Sequence, residues 1–349
     1  MKVSVLNLVP LRHGESFKDA MDAMVRLAKR VEDLGYTRYW IAEHHNMRSI
    51  ASSATQLLIQ HTLANTKKIR VGSGGVMLPN HSPYLIAEQY GTLETLYPNR
   101  VDLGLGRAPG TDVPTAMALR RTKDLKTDFE RDLAELSGYF KGSNYVQAYP
   151  AHGLYLPFYI LGSSIDSAYL AAKLGLPYSF AAHFAPTMME NAIAIYNRYF
   201  QPSAILDKPY VILGVNAILA DTDEEAKRLS TTMIQSFLNI VTSNQKGLMP
   251  PLQSEEAVWR EFIATNKVPH FGPIAFEIDD LISHEKEIVE KMTKVSFIGS
   301  KELVAKQIKD LQKRVKFEEL IVNSYIYDEE AQYHSYKLLA EVIEENFKE

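Results

Sequence analysis

The chain has 349 residues, 46% hydrophobic and 23% charged, and its 38 Lys and Arg against 42 Asp and Glu leave a net charge of −4. This is a globular composition with enough apolar residues for a large core, and it argues against a nucleic-acid surface or an acidic disordered tail. The absence of cysteine excludes disulfides, thiolate metal sites, iron–sulfur clusters and a cysteine nucleophile. No apolar run approaches the roughly 20 residues of a membrane helix, and the N-terminus turns polar after Pro10, so a soluble, cytoplasmic protein without membrane contact is expected.

Apolar strand-like runs alternate with longer amphipathic segments along the chain. Lys2 to Val9 reads as a strand, and the next segment repeats Ala20, Met24, Leu27, Ala28, Val31 and Leu34 at helical spacing before Gly35. "RYWIAE" then "SSATQLLIQHTLANT" form a second pair, and "IRVGSGGVML" with a helix carrying Pro83 in its first turn a third. "RVDLGLGRA" and "KTDFERDLAELSGYF" form the fourth pair, with no clear helix before about Thr122. "PFYILGS" and "PYSFAAHF", each with its helix, follow. So does Tyr210–Ala220, where Asp221 or Thr222 can cap the next helix. "FEELIVNSYIY" and a terminal helix close the series.

Eight βα units with near-continuous apolar strands predict a parallel sheet covered on both sides. Closed on itself, such a sheet is a TIM (β/α)8 barrel; an open doubly wound sheet is the rival. Residues 1–349 read as a single domain with an insertion at about 243–295, before the last unit. Such an insertion is either a lid over a site or a surface excursion.

In a barrel of this type the site lies at the C-terminal strand ends, which here carry Asn7, Glu43, His44, His45, Gly72 to Gly75, Arg107, Gly162 to Ser164, His183 and Asn216. Alternation along a strand puts Glu43 and His45 on one face and His44 on the other. Glu43, His45 and His183 are of metal-ligating types, but no ligand-spacing motif supports a metal site and no metal is expected. "GLGRAPG" fails as a dinucleotide fingerprint because no helix opens at the turn. "ILGSSIDS" is better placed: a strand runs directly into a helix N-terminus, where Ser164 is either a phosphate ligand or only the cap. Arg107 can supply a counter-charge or be a structural ion-pair partner. The three glycines of "GSGG" mark either a bulge or a backbone that a flat ligand approaches.

Taken together, "YWIAEHHNM", "IRVGSGGVMLPNHSPYLIAEQ", "NRVDLGLGRAPGTD", "ILGSSIDSAYLAAKLGLP" and "VSFIGSKELVAKQIKDL" resemble the bacterial luciferase-like flavin monooxygenases over nearly the whole chain. The resemblance implies an FMN-dependent oxidoreductase that takes reduced FMN from a separate flavin reductase and uses O₂ to oxidise a small organic molecule. Deazaflavin-dependent hydride transfer and flavin binding without turnover are the alternatives. By the resemblance, Gly74–Gly75 is a cis peptide under the flavin ring, and Arg107, Ser163, Ser164 and Ser167 meet its phosphate. His44 is then the active-site histidine, and His45 either joins it or packs beside it. An imidazole suits proton transfer because its unperturbed pKa is about 6.5. Leu6, Trp40, Met77 and Phe184 are either pocket-lining or core-packing residues, and a homodimer through the second and third helices is implied. Gly106 stands where luciferases proper carry a cysteine, which implies a roomier site, requires no thiol and argues against light emission.

Overall fold

The computed structural model describes residues 1–107, 111–123, 126–265 and 278–347, with side chains from 284 in the last segment. Strands β1 (Lys2–Asn7), β2 (Arg38–Ile41), β3 (Arg70–Met77), β4 (Val101–Gly106), β5 (Phe158–Gly162), β6 (Tyr178–Phe180) and β7 (Val211–Leu219) pair in parallel. Strand β8 (Ser296–Gly299) and strand β9 (Glu319–Asn323) complete the sheet. Pairing of β6 with β7, of β7 with β9, and of β9 with β1 closes an eight-stranded parallel barrel, as the eight βα units predict.

Two elements depart from the sequence reading. Strand β8 lies outside the barrel, paired with the upper half of β7 from Asn216↔Ser296 to Leu219↔Gly299, while the lower half of β7 pairs with β9. At nine residues β7 is long enough to serve both partners. The helix expected from Thr122 is preceded by a short one that the sequence reading did not have. The short one, Val113–Arg120, is capped by the Asp112 carboxylate, which accepts from the Thr115 N–H; the expected one is Phe129–Lys141. The first has little apolar periodicity and a proline in its opening turn, so its signal is the cap rather than the pattern. Ala108, Pro109 and Gly110 fall outside the described residues.

Helix α1 (Phe17–Asp33) shows how the outer layer is made. Ser16 and Asp19 form a reciprocal capping box, and Leu34 ends the helix before Gly35 at φ +79°. Its Met24, Leu27 and Val31 are buried against the barrel, each contributing roughly 1.5–3 kcal/mol. Along β2 the period of two sends Tyr39 and Ile41 into this outer core. Trp40 instead joins Leu6, Ala42, Tyr159, Ile212 and Ile321 inside the barrel.

Below that apolar plug the barrel is closed by ions. Arg38, the first residue of β2, reaches Asp102 at 2.8 Å and Glu319 at 2.7 Å, with the Tyr159 hydroxyl at 2.7 Å. Asp102 also accepts from Arg70 and the Trp40 indole, and Glu319 from Tyr210 and Ser4. Burial disfavours the Arg38 charge, but the two carboxylates outweigh it and hold its pKa well above the usual value. Above the plug the barrel is open.

Candidate active site

A cavity of about 880 Å³ occupies the C-terminal mouth of the barrel. Its floor is the plug: Leu6, Trp40, Ala42 and Ile321. Its upper wall is apolar, with Leu8, Pro10, Met47, Ile50, Phe237 and Leu248. The four pocket residues named from sequence, Leu6, Trp40, Met77 and Phe184, all line it. So do residues 243–248 at the start of the insertion, where Leu248 exchanges backbone hydrogen bonds with Leu11 and His13. The insertion continues through helices Glu255–Thr265 and Ile278–Thr293, and residues 266–277 fall outside the described part.

The strand alternation sorts "EHH" as expected. His44 follows the inward parity of Trp40 and Ala42 and lines the cavity, with its backbone N–H bonded to the Ser52 carbonyl. Glu43 and His45 share the other side, His45 Nε2 lying 3.0 Å from Glu43 Oε1. The same oxygen meets Nε2 of His81 at 2.8 Å. Burial opposes the Glu43 charge, but the hydrogen bonds from His45 and His81 outweigh it, so its pKa is held below the ordinary value. These three side chains bring their donor atoms within 4.8 Å of one another, and the hydrogen bonds account for that clustering. His45 is therefore tied to Glu43 behind His44 and is not among the cavity-lining residues. Sequence reasoning missed His81, which sits 38 residues from Glu43 in a loop and meets it only because β2 and β3 are barrel neighbours.

His44 is buried with Nδ1 lacking a hydrogen-bond partner among the described residues. Burial pushes its pKa down, partly countered by Glu43 and reinforced by His45. His183, beyond the end of β6, is also buried in the cavity wall with Nδ1 unpaired. Its burial, with a further push from His44, lowers its pKa to about 4. Both imidazoles are thus neutral at pH 7. Asn216 on β7 donates to the His183 carbonyl at 2.7 Å.

The floor beside His44 is bare backbone. The Gly74–Gly75 peptide is cis, and the β3–β4 register shifts between Ser73 and Val76. A Cβ on Gly74 would stand 2.6 Å from Leu6 Cδ1 and 2.9 Å from Trp40 Cβ, so no side chain fits there. Gly74 borders the cavity, whereas Gly75 abuts the Gly104 carbonyl of β4. The room left by Gly106 is partly taken by Met77, whose Sδ and Cε lie about 3 Å from where a Cβ would sit.

The far end of the cavity combines a cation, hydroxyls and a helix N-terminus. Strand β5 runs into the helix Ile165–Leu174, whose first-turn N–H groups have no helical partner. Arg107, half-exposed, reaches across to Ser164 Oγ at 3.4 Å and to the exposed Asp166 carboxylate at 3.5 Å. Ser163, Ser164 and Ser167 line the same corner. Ser164 is the helix cap in a reciprocal box with Ser167. The Ser167 hydroxyl is anchored one layer back, donating to the Ser164 carbonyl at 2.7 Å and lying 3.0 Å from the Tyr178 hydroxyl. A planar molecule with an anionic tail matches this arrangement: bare backbone below, two neutral imidazoles beside it, a cationic corner at one end.

A family profile described as luciferase-like monooxygenase matches residues 1–315, and the chain belongs to that family. It is 42% identical to the luciferase-like monooxygenase of Escherichia coli strain K12, covering 98% of this chain and 97% of that protein. Among solved structures, apo-MsnO8 superposes with a TM-score of 0.84 at 32% identity, covering 98% of both chains. The oxygenating constituent of 3,6-diketocamphane monooxygenase from Pseudomonas putida, in complex with FMN, superposes at 0.67 with 18% identity over 98% of both chains, a likeness of fold.

Proposed function

We propose that this chain is the oxygenase of a two-component, FMN-dependent monooxygenase, which accepts reduced FMN from a separate flavin reductase and oxidises a small organic substrate with O₂. The observation that carries it is the pairing of an inward, neutral, unpartnered His44 with an anion corner at the other end of one cavity. Support also comes from the family, and from a protein of the same fold that is titled an oxygenating constituent in complex with FMN.

In this reading Arg107, Ser163, the Ser164 cap and the first-turn N–H groups hold the phosphate, and Ser167 fixes their geometry. Gly74 leaves the backbone open to the ring, and Gly75 follows it through the cis peptide while packed against Gly104. Bound reduced FMN supplies the electrons for oxygen reduction. His44 accepts or donates the accompanying proton at its free ring nitrogen, for which a neutral imidazole near pH 7 is suited. His45 acts at one remove, through Glu43. The apolar upper wall keeps water from the reacting centre and selects an apolar substrate. A homodimer would cover Leu57 on the helix Thr55–Asn65 and Leu85 and Leu96 on Pro83–Leu96, all largely exposed in the single chain.

The test is an anaerobic titration with reduced FMN and with a reduced deazaflavin, followed by rapid mixing with O₂. Tight binding of reduced FMN, with oxidation passing through a long-lived spectral species, supports the proposal. Preference for deazaflavin would move the assignment to hydride transfer. FMN that binds but oxidises in a single step would move it to flavin binding without turnover.

A further inference from the structure

We infer that His183 is a second proton-handling residue of this site, forming with His44 a two-imidazole pair that meets the cavity's occupant from opposite walls. The inference rests on the oxygenase reading for its chemistry, but its geometry does not. His44 follows β2 and His183 follows β6. Strands β3, β4 and β5 separate them one way round the barrel, and β1, β9 and β7 the other, so the two exits are diametrically opposed. Both side chains line the one cavity.

A histidine kept only for packing would have its ring nitrogens satisfied or its place taken by an apolar side chain. Here Nδ1 of each ring is buried without a partner among the described residues. A neutral imidazole has one donor and one acceptor nitrogen, so each ring holds unused capacity in the cavity wall. The His183 ring is also firmly set. Phe184 meets it edge-on with centroids 5.0 Å apart, and Asn216 Nδ2 holds its carbonyl. Gly214 gives it room, since a Cβ there would stand 2.7 Å from His183 Nδ1.

The charges around the pair limit it to one proton. Glu43 favours a proton on His44, while burial, His45 and a charged His183 oppose it; Arg107 and Lys246 on the cavity wall add positive charge, and Tyr325 adds a neutral hydroxyl. His81 faces Glu43 from behind. A proton leaving an X–H group of the occupant passes to a free ring nitrogen, making one imidazolium, and later returns to an oxygen of the occupant. No electron or heavy atom is exchanged with either ring.

The test is imidazole NMR of the full chain without flavin, in wild type, His44→Gln and His183→Gln, with His183→Phe replacing the last if it does not fold. The pair predicts both rings neutral at pH 7 and a His183 midpoint that rises in His44→Gln by about half a unit, roughly threefold in proton affinity. It also predicts that His183→Gln removes one limb of the pH profile of flavin oxidation without changing reduced-FMN affinity. A charged His183 at pH 7, a midpoint indifferent to His44→Gln, or an unaltered pH profile would overturn the inference. Failure to bind FMN with the coupling intact would instead remove the oxygenase reading and leave the imidazole pair standing.

Discussion

The two ends of one barrel solve opposite problems with the same eight strands. At the N-terminal end, Arg38, Asp102 and Glu319 are buried, yet every carboxylate oxygen accepts a hydrogen bond and the arginine is shared between both acids. At the C-terminal end, Glu43, His44, His183, Asn216 and Ser324 each leave a buried polar atom unpaired among the described residues. An unpaired buried polar group costs roughly 1–3 kcal/mol, so the open end is the expensive one. The difference teaches where the chain gives up stability for capacity to bind: the Arg38, Asp102 and Glu319 network is satisfied within itself, with only Glu94 Oε2 beside it unpaired among the described residues, and the other rim is left for an occupant to complete.

The comparison breaks most visibly at the closed end. Arg38→Met leaves the buried Glu319 carboxylate without its cation and Asp102 with Arg70 alone, and removing one partner of such a set costs about 3–5 kcal/mol. Urea denaturation should show that loss; a change under 1 kcal/mol would mean that the network is not the structural keystone described here. Flavin affinity should be unchanged in the folded fraction.

At the open end the next effect depends on pH. His183 titrates at about 4 when folded and near 6.5 when unfolded, so between these values the unfolded chain binds the extra proton. Its contribution to stability is therefore complete above pH 6.5 and is lost as pH falls towards 4. Between pH 7 and 5 the loss is about 2 kcal/mol, and His183→Gln should flatten the curve by that amount. Denaturation at the two pH values measures it, and an equally steep curve in the variant would refute it. Smaller again is Arg107→Ala. The side chain is half-exposed and bridges only weakly in the free protein, so folding should change little. Reduced-FMN binding should weaken about tenfold, the worth of one charge-assisted contact. An unchanged dissociation constant would remove Arg107 from the phosphate corner.

The two ends also differed in how far the sequence disclosed them. The barrel was legible because parallel strands buried on both faces leave long apolar runs between helical periods, and alternation alone separated His44 from Glu43 and His45, while its place in the site came from the family resemblance. Strand β8 stayed hidden because a four-residue edge beside β7 has too little pattern to separate it from a loop. The serine and arginine corner was legible from a strand running directly into a capped helix. His81 and the pairing of His44 with His183 were not, because each joins residues far apart in the chain through barrel closure. The ionic end left a signal that went unread: Arg38, Asp102 and Glu319 are single charges near the starts of otherwise apolar strands, all at one level of the barrel.

The smallest effect bears most directly on what the open end is for. Ser324 follows β9, its hydroxyl buried and unpaired, and it makes no contribution to the N-terminal network. If that hydroxyl serves only folding, removing it should be neutral or slightly stabilising, because the cost of an unsatisfied group is lifted while one small atom is lost. Ser324→Ala is therefore expected to change stability by less than about 0.5 kcal/mol, with the sign favouring the variant. A clear loss of stability, measured by urea denaturation without ligand, would mean that the hydroxyl has a partner in the free protein. The open rim would then be less open than its unpaired atoms indicate.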